Sequence, residues 1–222
     1  MSLASGLSAA ASGLLEFLLP AVCPLCRRAA PRHLGLCAGC LEGCGLEPAW
    51  QSEPGPLAAS GSAAPYRGRI EEMVKALKYG GRLSLAAPLG GLLAEAAREQ
   101  PSADIIAPVP LHPRRLAERG FNQALLLCRE LARRANMRAT LAPALLRRIR
   151  YTRPQVELSG AERAANVRGA FAVSGGFNLK GQRILLVDDV RTTGATLAEC
   201  AAMLLAAGAA GVAALTVARA GA

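Results

Sequence analysis

Aromatic side chains are scarce: Phe, Trp and Tyr make up 4% of the 222 residues. The core must therefore be mostly aliphatic. No apolar run reaches the roughly 20 residues that a helix needs to cross a bilayer. The N-terminus, MSLASGLSAAASGLLEFLLPAVC, approaches a secretory signal but lacks its parts. No Lys or Arg precedes the apolar run, Glu16 interrupts it, and Val22 before Cys23 is not the small residue that cleavage needs. Leu3, Leu7, Leu14, Leu15 and Leu18 recur at helical spacing, so residues 1–19 read as a short amphipathic helix. The expected location is cytoplasmic. There is no internal repeat.

Hydrophobic residues make up 52% of the chain, enough for one α/β domain with a small appendage. Residues 20–45 are cysteine-rich, and QSEPGPLAASGSAAP at 51–65 reads as a linker. The expected modules are residues 1–60 and 61–222. From residue 66 the pattern alternates. Helices are expected over 69–79, with Ile70, Met73, Val74 and Leu77 on one face, over 85–98, over 121–136 with Leu125, Cys128 and Ala132 inward, and over 195–207. Strands are expected at 104–111, 144–151, 183–189 and 212–218. Residues 152–169 look loop-like, with a helical turn near 161–166. The unbroken apolar run of RILLVDD marks a strand buried on both faces. The fold class is α/β, a mainly parallel sheet with helices on both faces.

Cys23, Cys26, Cys37 and Cys40 form C-x2-C-x10-C-x2-C. Two tight turns facing each other would present four thiolates to a closed, structural zinc site. So short a stretch cannot bury a core, and metal binding would supply its folding energy. Cys44 could take the place of Cys40, and His33 lies between the pairs. Cys128 and Cys200 fall in expected helices as small core residues.

ILLVDDVRTTGAT at 184–196 runs an apolar strand into two acids and then a Thr/Gly turn that opens a helix. The strand delivers Asp188 and Asp189 to the carboxyl edge of the sheet, where such folds bind ligands. Two carboxylates suit vicinal ribose hydroxyls or a shared Mg²⁺. Arg191, Thr192, Thr193, Gly194, Ala195 and Thr196 offer N–H groups and hydroxyls at a helix N-terminus, an anion site. Gly194 lets the backbone approach a phosphate closely. A second strand ends in APVPLHPRRLAERGFNQA. Pro110, Leu111 and His112 lead into Arg114, Arg115 and Arg119, a turn suited to pyrophosphate. The chain carries net charge +10, and residues 110–170 alone hold thirteen Arg against four Glu, or +9. Such a patch attracts phosphorylated sugars, nucleotides and nucleic acid, although Arg-rich helix faces in an Arg-biased composition give the same count.

The 184–196 segment resembles the phosphoribosyl-diphosphate motif of type I phosphoribosyltransferases. Together with KALKYGGR at 75–82, PVPLHPRRLAERGFNQA, RRIRYTRPQVELSGAERAANVRGAF at 147–171 and the four cysteines, it resembles the ComF family of competence-associated proteins. That resemblance implies a type I phosphoribosyltransferase fold with an N-terminal zinc ribbon, and a link to uptake of single-stranded DNA and the DNA-uptake proteins. It implies that Tyr151–Arg168 is a loop closing over Mg²⁺-bound phosphoribosyl diphosphate, with Thr152, Gln155, Arg163, Asn166 and Arg168 able to reach it. Residues 1–60 would take the place of the acceptor hood. Two readings stay open. One is a transferase with Asp188 and Asp189 as catalytic residues and an unidentified acceptor. The other is an accessory factor that binds single-stranded DNA through its basic patch. Scarce aromatics argue mildly against the second, since stacking platforms are common in such binders. Trp50, Tyr66, Tyr79 and Tyr151 are the few candidates, and packing between modules is the competing use for them.

Overall fold

A computed structural model describes residues 22–30, 34–99, 102–135, 138–152 and 160–221. The helix expected at 1–19, together with His33 and Gln155, lies outside the described residues. Helix α1 is Ala38–Glu42 and is followed by strands β1 (Ala49–Ser52) and β2 (Ala59–Pro65). Helices α2 (Gly68–Gly80) and α3 (Ala86–Ala96) lead to β3 (Ile105–Pro108). Then come α4 (Pro113–Arg119), α5 (Gln123–Arg134), β4 (Thr140–Leu141) and β5 (Leu146–Arg148). The chain continues through α6 (Gly160–Val167), β6 (Phe171–Val173), β7 (Arg183–Arg191), α7 (Ala195–Ala206) and β8 (Gly211–Arg219).

Six strands form one sheet in the order β1-β2-β8-β7-β3-β4, parallel except for the β1–β2 pair. β5 and β6 form a separate antiparallel ribbon. Side chains alternate along β7. Leu185 and Val187 enter one core with α2, α3, α5 and the cysteine segment, while Ile184 and Leu186 enter the other with α7 and the ribbon. Both faces are thus covered, as the unbroken apolar run requires. Helix ends are set locally. His112 caps α4 through Nδ1 ahead of Pro113, Asn122 caps α5, and Gly81 closes α2 in the left-handed conformation at φ 61°.

Three expectations change. The 51–65 segment is no linker, because its second half is β2, buried between β1 and β8. Its small residues reflect crowding, not flexibility. A Cβ on Gly61 would lie 2.4 Å from the Trp50 ring, and Ser62 Oγ sits 2.7 Å from Thr216 Oγ1 on β8. Trp50 packs against the sheet and donates to the Ala96 carbonyl at 2.8 Å, so it is a packing residue. The inward face of α5 is Ala124, Leu127, Cys128 and Leu131, while Leu125 is only half-buried. Three consecutive leucines blur the helical phase here, and Leu125 and Leu126 line a separate surface groove instead. Finally, Arg114, Arg115 and Arg119 lie on a helix, α4, and not on a loop.

Gly61→Ala should destabilise the protein by about 1–3 kcal/mol through overpacking. In a Trp50→Ala background the same change should cost far less, as read by urea unfolding followed by circular dichroism.

Candidate functional site

β7 extends to Arg191, and Gly194 at φ 77° starts α7. Thr192 and Thr193 are exposed at the turn, where Thr193 Oγ1 accepts from the Ala195 amide at 3.5 Å. The first turn of α7 directs its N–H groups towards that turn, which makes the end of the helix electropositive. The Arg191 guanidinium is turned to Glu53, at 2.7 Å, and to Ser60 Oγ, at 2.7 Å.

The two acids face different neighbours. Alternation along β7 turns Asp189 to the α2 side, where Lys78 Nζ lies 2.7 Å from its Oδ2. The Asp189 side chain is 4% exposed and that of Lys78 is 19% exposed. Asp188 is turned to the α7 side and is only half-buried. Its carboxyl is pushed up to about 7, chiefly by burial and by the adjacent Asp189 charge, with Lys78 pulling the other way. Its Oδ1 accepts from the Asp189 amide at 2.8 Å. Among the described residues Asp188 forms no ion pair, although the Lys78 and Arg148 charges both draw its carboxyl down. Lys78 was not singled out by the motif, but the sequence held a sign of it. It continues the Ile70–Val74 stripe of α2 by four residues, and a charge on an inward stripe needs a buried partner.

Lys78 also lines a cleft of about 560 Å³ with Tyr79, Gly81, Arg115, Glu118, Arg119, Phe121 and Tyr151. Arg119 lies 5.5 Å from the Tyr79 ring, and Arg114 and Arg115 lie 5.0 and 5.8 Å from the Tyr151 ring. His112 meets Tyr151 edge to face at 5.2 Å. The α4 arginines are partly committed, Arg114 to Glu118 at 3.2 Å and Arg119 to Gln123. Pro110 and Leu111 line an adjacent apolar groove. Thr152 is buried, with its hydroxyl bonded by Arg148. The Asn166 and Arg168 carbonyls accept from Arg150 at 3.0 and 2.6 Å, which ties the end of β5 to the end of α6. Arg163 falls within α6, and its side chain is not among those described.

The sulfurs of Cys23, Cys26, Cys37 and Cys40 all lie within 4.8 Å of one another. A zinc–thiolate tetrahedron with bonds of about 2.3 Å has sulfur–sulfur edges of about 3.8 Å, so the four can close on one ion. The first pair sits on a turn held by Arg27 N to Cys23 O at 2.8 Å, with Arg27 at φ 62°. The second pair is different from a turn, because Cys37 and Cys40 sit at the start of α1. Burial would push Cys23 up, but amide N–H groups around it bring it down to about 6, while burial and the neighbouring sulfurs push Cys40 up to about 12. Four thiols competing to ionise is the situation a bound dication relieves. Cys44 is not part of the cluster, since its Sγ donates to the Cys40 carbonyl at 3.2 Å. The module is joined to the α/β core. Leu36, Cys40 and Cys44 are buried in the same cluster as Leu185 and Leu215, and Arg82 donates to the Pro24 carbonyl.

The phosphoribosyl transferase domain family matches residues 122–222. DNA utilization protein YhgH of Salmonella typhi is 34% identical over 205 residues, covering 86% of this chain and 87% of that one. The chain belongs to the ComF family. Its YhgH relative in Escherichia coli K12 is 33% identical over 220 residues, covering 87% and 95%. Competence protein F of Haemophilus influenzae is 37% identical over 102 residues, covering 46% of this ComF chain and 44% of that relative. Among solved structures, glutamine phosphoribosylpyrophosphate amidotransferase of B. subtilis overlaps 60% of this chain and 26% of its own, at 21% identity and a TM-score of 0.41. No helix among the described residues is long and apolar enough to cross a membrane.

Purified protein should carry one zinc per chain. Cys26→Ser and Cys37→Ser should each lower zinc content and thermal stability together, whereas Cys44→Ser should retain full zinc, as read by metal analysis and a melting scan.

Proposed function

We propose that this ComF chain binds Mg²⁺-phosphoribosyl diphosphate at the carboxyl edge of β7 and acts in DNA uptake by handling single-stranded DNA. The observation that carries the ligand reading is the pairing of Asp188, a half-buried carboxylate that forms no ion pair among the described residues, with the Thr192–Thr196 turn at the start of α7. In this reading the turn holds the 5′-phosphate through its N–H groups and hydroxyls. Asp188 takes the ribose hydroxyls, and Asp189 holds Lys78 in place. The α4 arginines and Tyr151 face the diphosphate. Mg²⁺ bound with the ligand would offset the charge of its phosphates. Zinc in the four-cysteine cluster is structural, because four protein ligands leave no open position. The cysteine segment ahead of β1 forms one module and the sheet with its helices the other.

The names of the relatives support the DNA reading, as does the charge of residues 110–170. Arg129, Arg138 and Arg147 in that stretch are exposed, and no carboxylate among the described residues pairs with them. Tyr79 and Tyr151 are 75% and 42% exposed and supply ring faces beside arginines.

Calorimetry should show Mg²⁺-dependent binding of phosphoribosyl diphosphate to wild type, and Asp188→Asn should weaken it at least tenfold without unfolding the protein. Equal binding by wild type and variant contradicts the assignment. Gel shifts with oligothymidylate should show binding at low salt that falls steeply as salt rises. No shift at low salt contradicts the DNA reading.

A further inference from the structure

The β1–β2 hairpin holds the Arg191 side chain at several points. One terminal nitrogen of its guanidinium donates to Glu53 Oε1 and the other to Ser60 Oγ, each at 2.7 Å. Ser60 Oγ in turn donates to the same Glu53 oxygen at 2.5 Å, which closes a ring of three contacts. Gln51 Nε2 adds a further donor to that oxygen at 2.7 Å. Ser60 is buried, and the side chains of Arg191 and Glu53 are only 17% and 14% exposed. Arg191 also touches the turn at the start of α7. Its Nε lies 3.4 Å from the point that a Cβ on Gly194 would occupy, and Gly194 is the left-handed residue that opens the helix.

The turn has little else of its own to keep its shape. Thr192 and Thr193 are exposed, and Thr193 Oγ1 accepts from the Ala195 amide only at 3.5 Å. A site that binds an anion through N–H groups gains affinity when those groups are oriented before the anion arrives. We propose that Glu53 is a positioning residue for this turn: it fixes Arg191 against Gly194 and so sets the affinity of the turn for a sugar monophosphate. This deepens the reading of the turn as the 5′-phosphate site and rests on it. The Glu53–Arg191 pair is neutral as a whole, so it acts through geometry and not by adding charge. A mostly enclosed ion pair tied into further hydrogen bonds fixes a side chain more firmly than an exposed one. Glu47 supplies the contrast. It pairs at 3.0 Å with Arg219, the residue opposite Arg191 on β8, but its side chain is 53% exposed.

The test titrates the full chain with ribose 5-phosphate and with phosphoribosyl diphosphate by calorimetry, below the melting transition of every variant. Glu53→Ala should weaken both ligands by about tenfold and by the same factor, because both carry the 5′-phosphate. Glu53→Gln keeps an acceptor oxygen for Arg191 and Ser60 and should stay within about threefold of wild type. Glu47→Ala should change binding by less than about twofold. A purely structural Glu53 predicts a lower melting point with unchanged affinity, and that result overturns the proposal. Tighter binding by Glu53→Ala also overturns it, since Glu53 would then be withholding Arg191 from the phosphate. So does a loss confined to phosphoribosyl diphosphate, or an equal loss in Glu47→Ala. Should Glu53→Ala fail to fold, Ser60→Ala decides, with an expected loss of about threefold and wild-type affinity as the contrary result. Ribose 5-phosphate binding that does not depend on Glu53 removes this proposal and keeps the wider reading. Wild type that binds no ribose 5-phosphate removes both.

Discussion

The Lys78–Asp189 ion pair joins the edge of the central strand to the helical layer that also holds the cysteine module. Asp189 lies at the end of β7, nearly closed to solvent, and an ionised carboxylate there is costly unless a cation accompanies it. Lys78 meets that need from α2, whose Ile70, Met73, Val74 and Leu77 are fully buried beside Leu36, Cys40 and Cys44. The ion pair fixes the C-terminal end of α2 against β7, next to Tyr79 at the cleft, while apolar packing seats the rest of the helix and the cysteine segment. It also distinguishes two residues that are identical in type and adjacent in sequence. Asp189 is neutralised within the protein, and the Asp188 carboxyl is pushed up to about 7 by burial and by its neighbour's charge.

The cysteine segment is less separate than its composition suggests. Its sulfur cluster is a local device, but the hydrophobic residues around it belong to the core on one face of the sheet. Metal bound there would stabilise the α2–α3 layer as well as the segment itself. The link runs through Arg82 to the Pro24 carbonyl and through the close approach of Gly91 to Leu34, where a Cβ would lie 2.9 Å from the leucine side chain.

Much of the site was legible in the sequence because its parts are local. A strand, two acids and a Thr/Gly turn opening a helix are contiguous, and so is each C-x2-C pair. What could not be read depends on contacts between distant residues. β2 resembled a linker because ASGSAAP is small and polar, and only the Trp50 ring over Gly61 and the Ser62–Thr216 contact explain that choice. Arg191 belonged to the motif, yet its side chain answers to Glu53, more than a hundred residues earlier in the chain. Arg148 was one arginine in a basic stretch until the fold brought it to the buried Thr152 hydroxyl. Helix α4 escaped notice because prolines and arginines suggested a turn, whereas His112 and Pro113 are a cap and a first helical residue.

The division of labour between Asp188 and Asp189 is tested most directly by a double-mutant cycle on Lys78 and Asp189, with unfolding free energy and phosphoribosyl diphosphate affinity both measured. Lys78→Met and Asp189→Asn should each destabilise the protein by about 3 kcal/mol, since each leaves a buried charge unpaired. The double variant should recover much of that loss, and it should still bind the ligand within a few-fold of wild type. Additive losses of stability, or a folded double variant that no longer binds, would contradict the account.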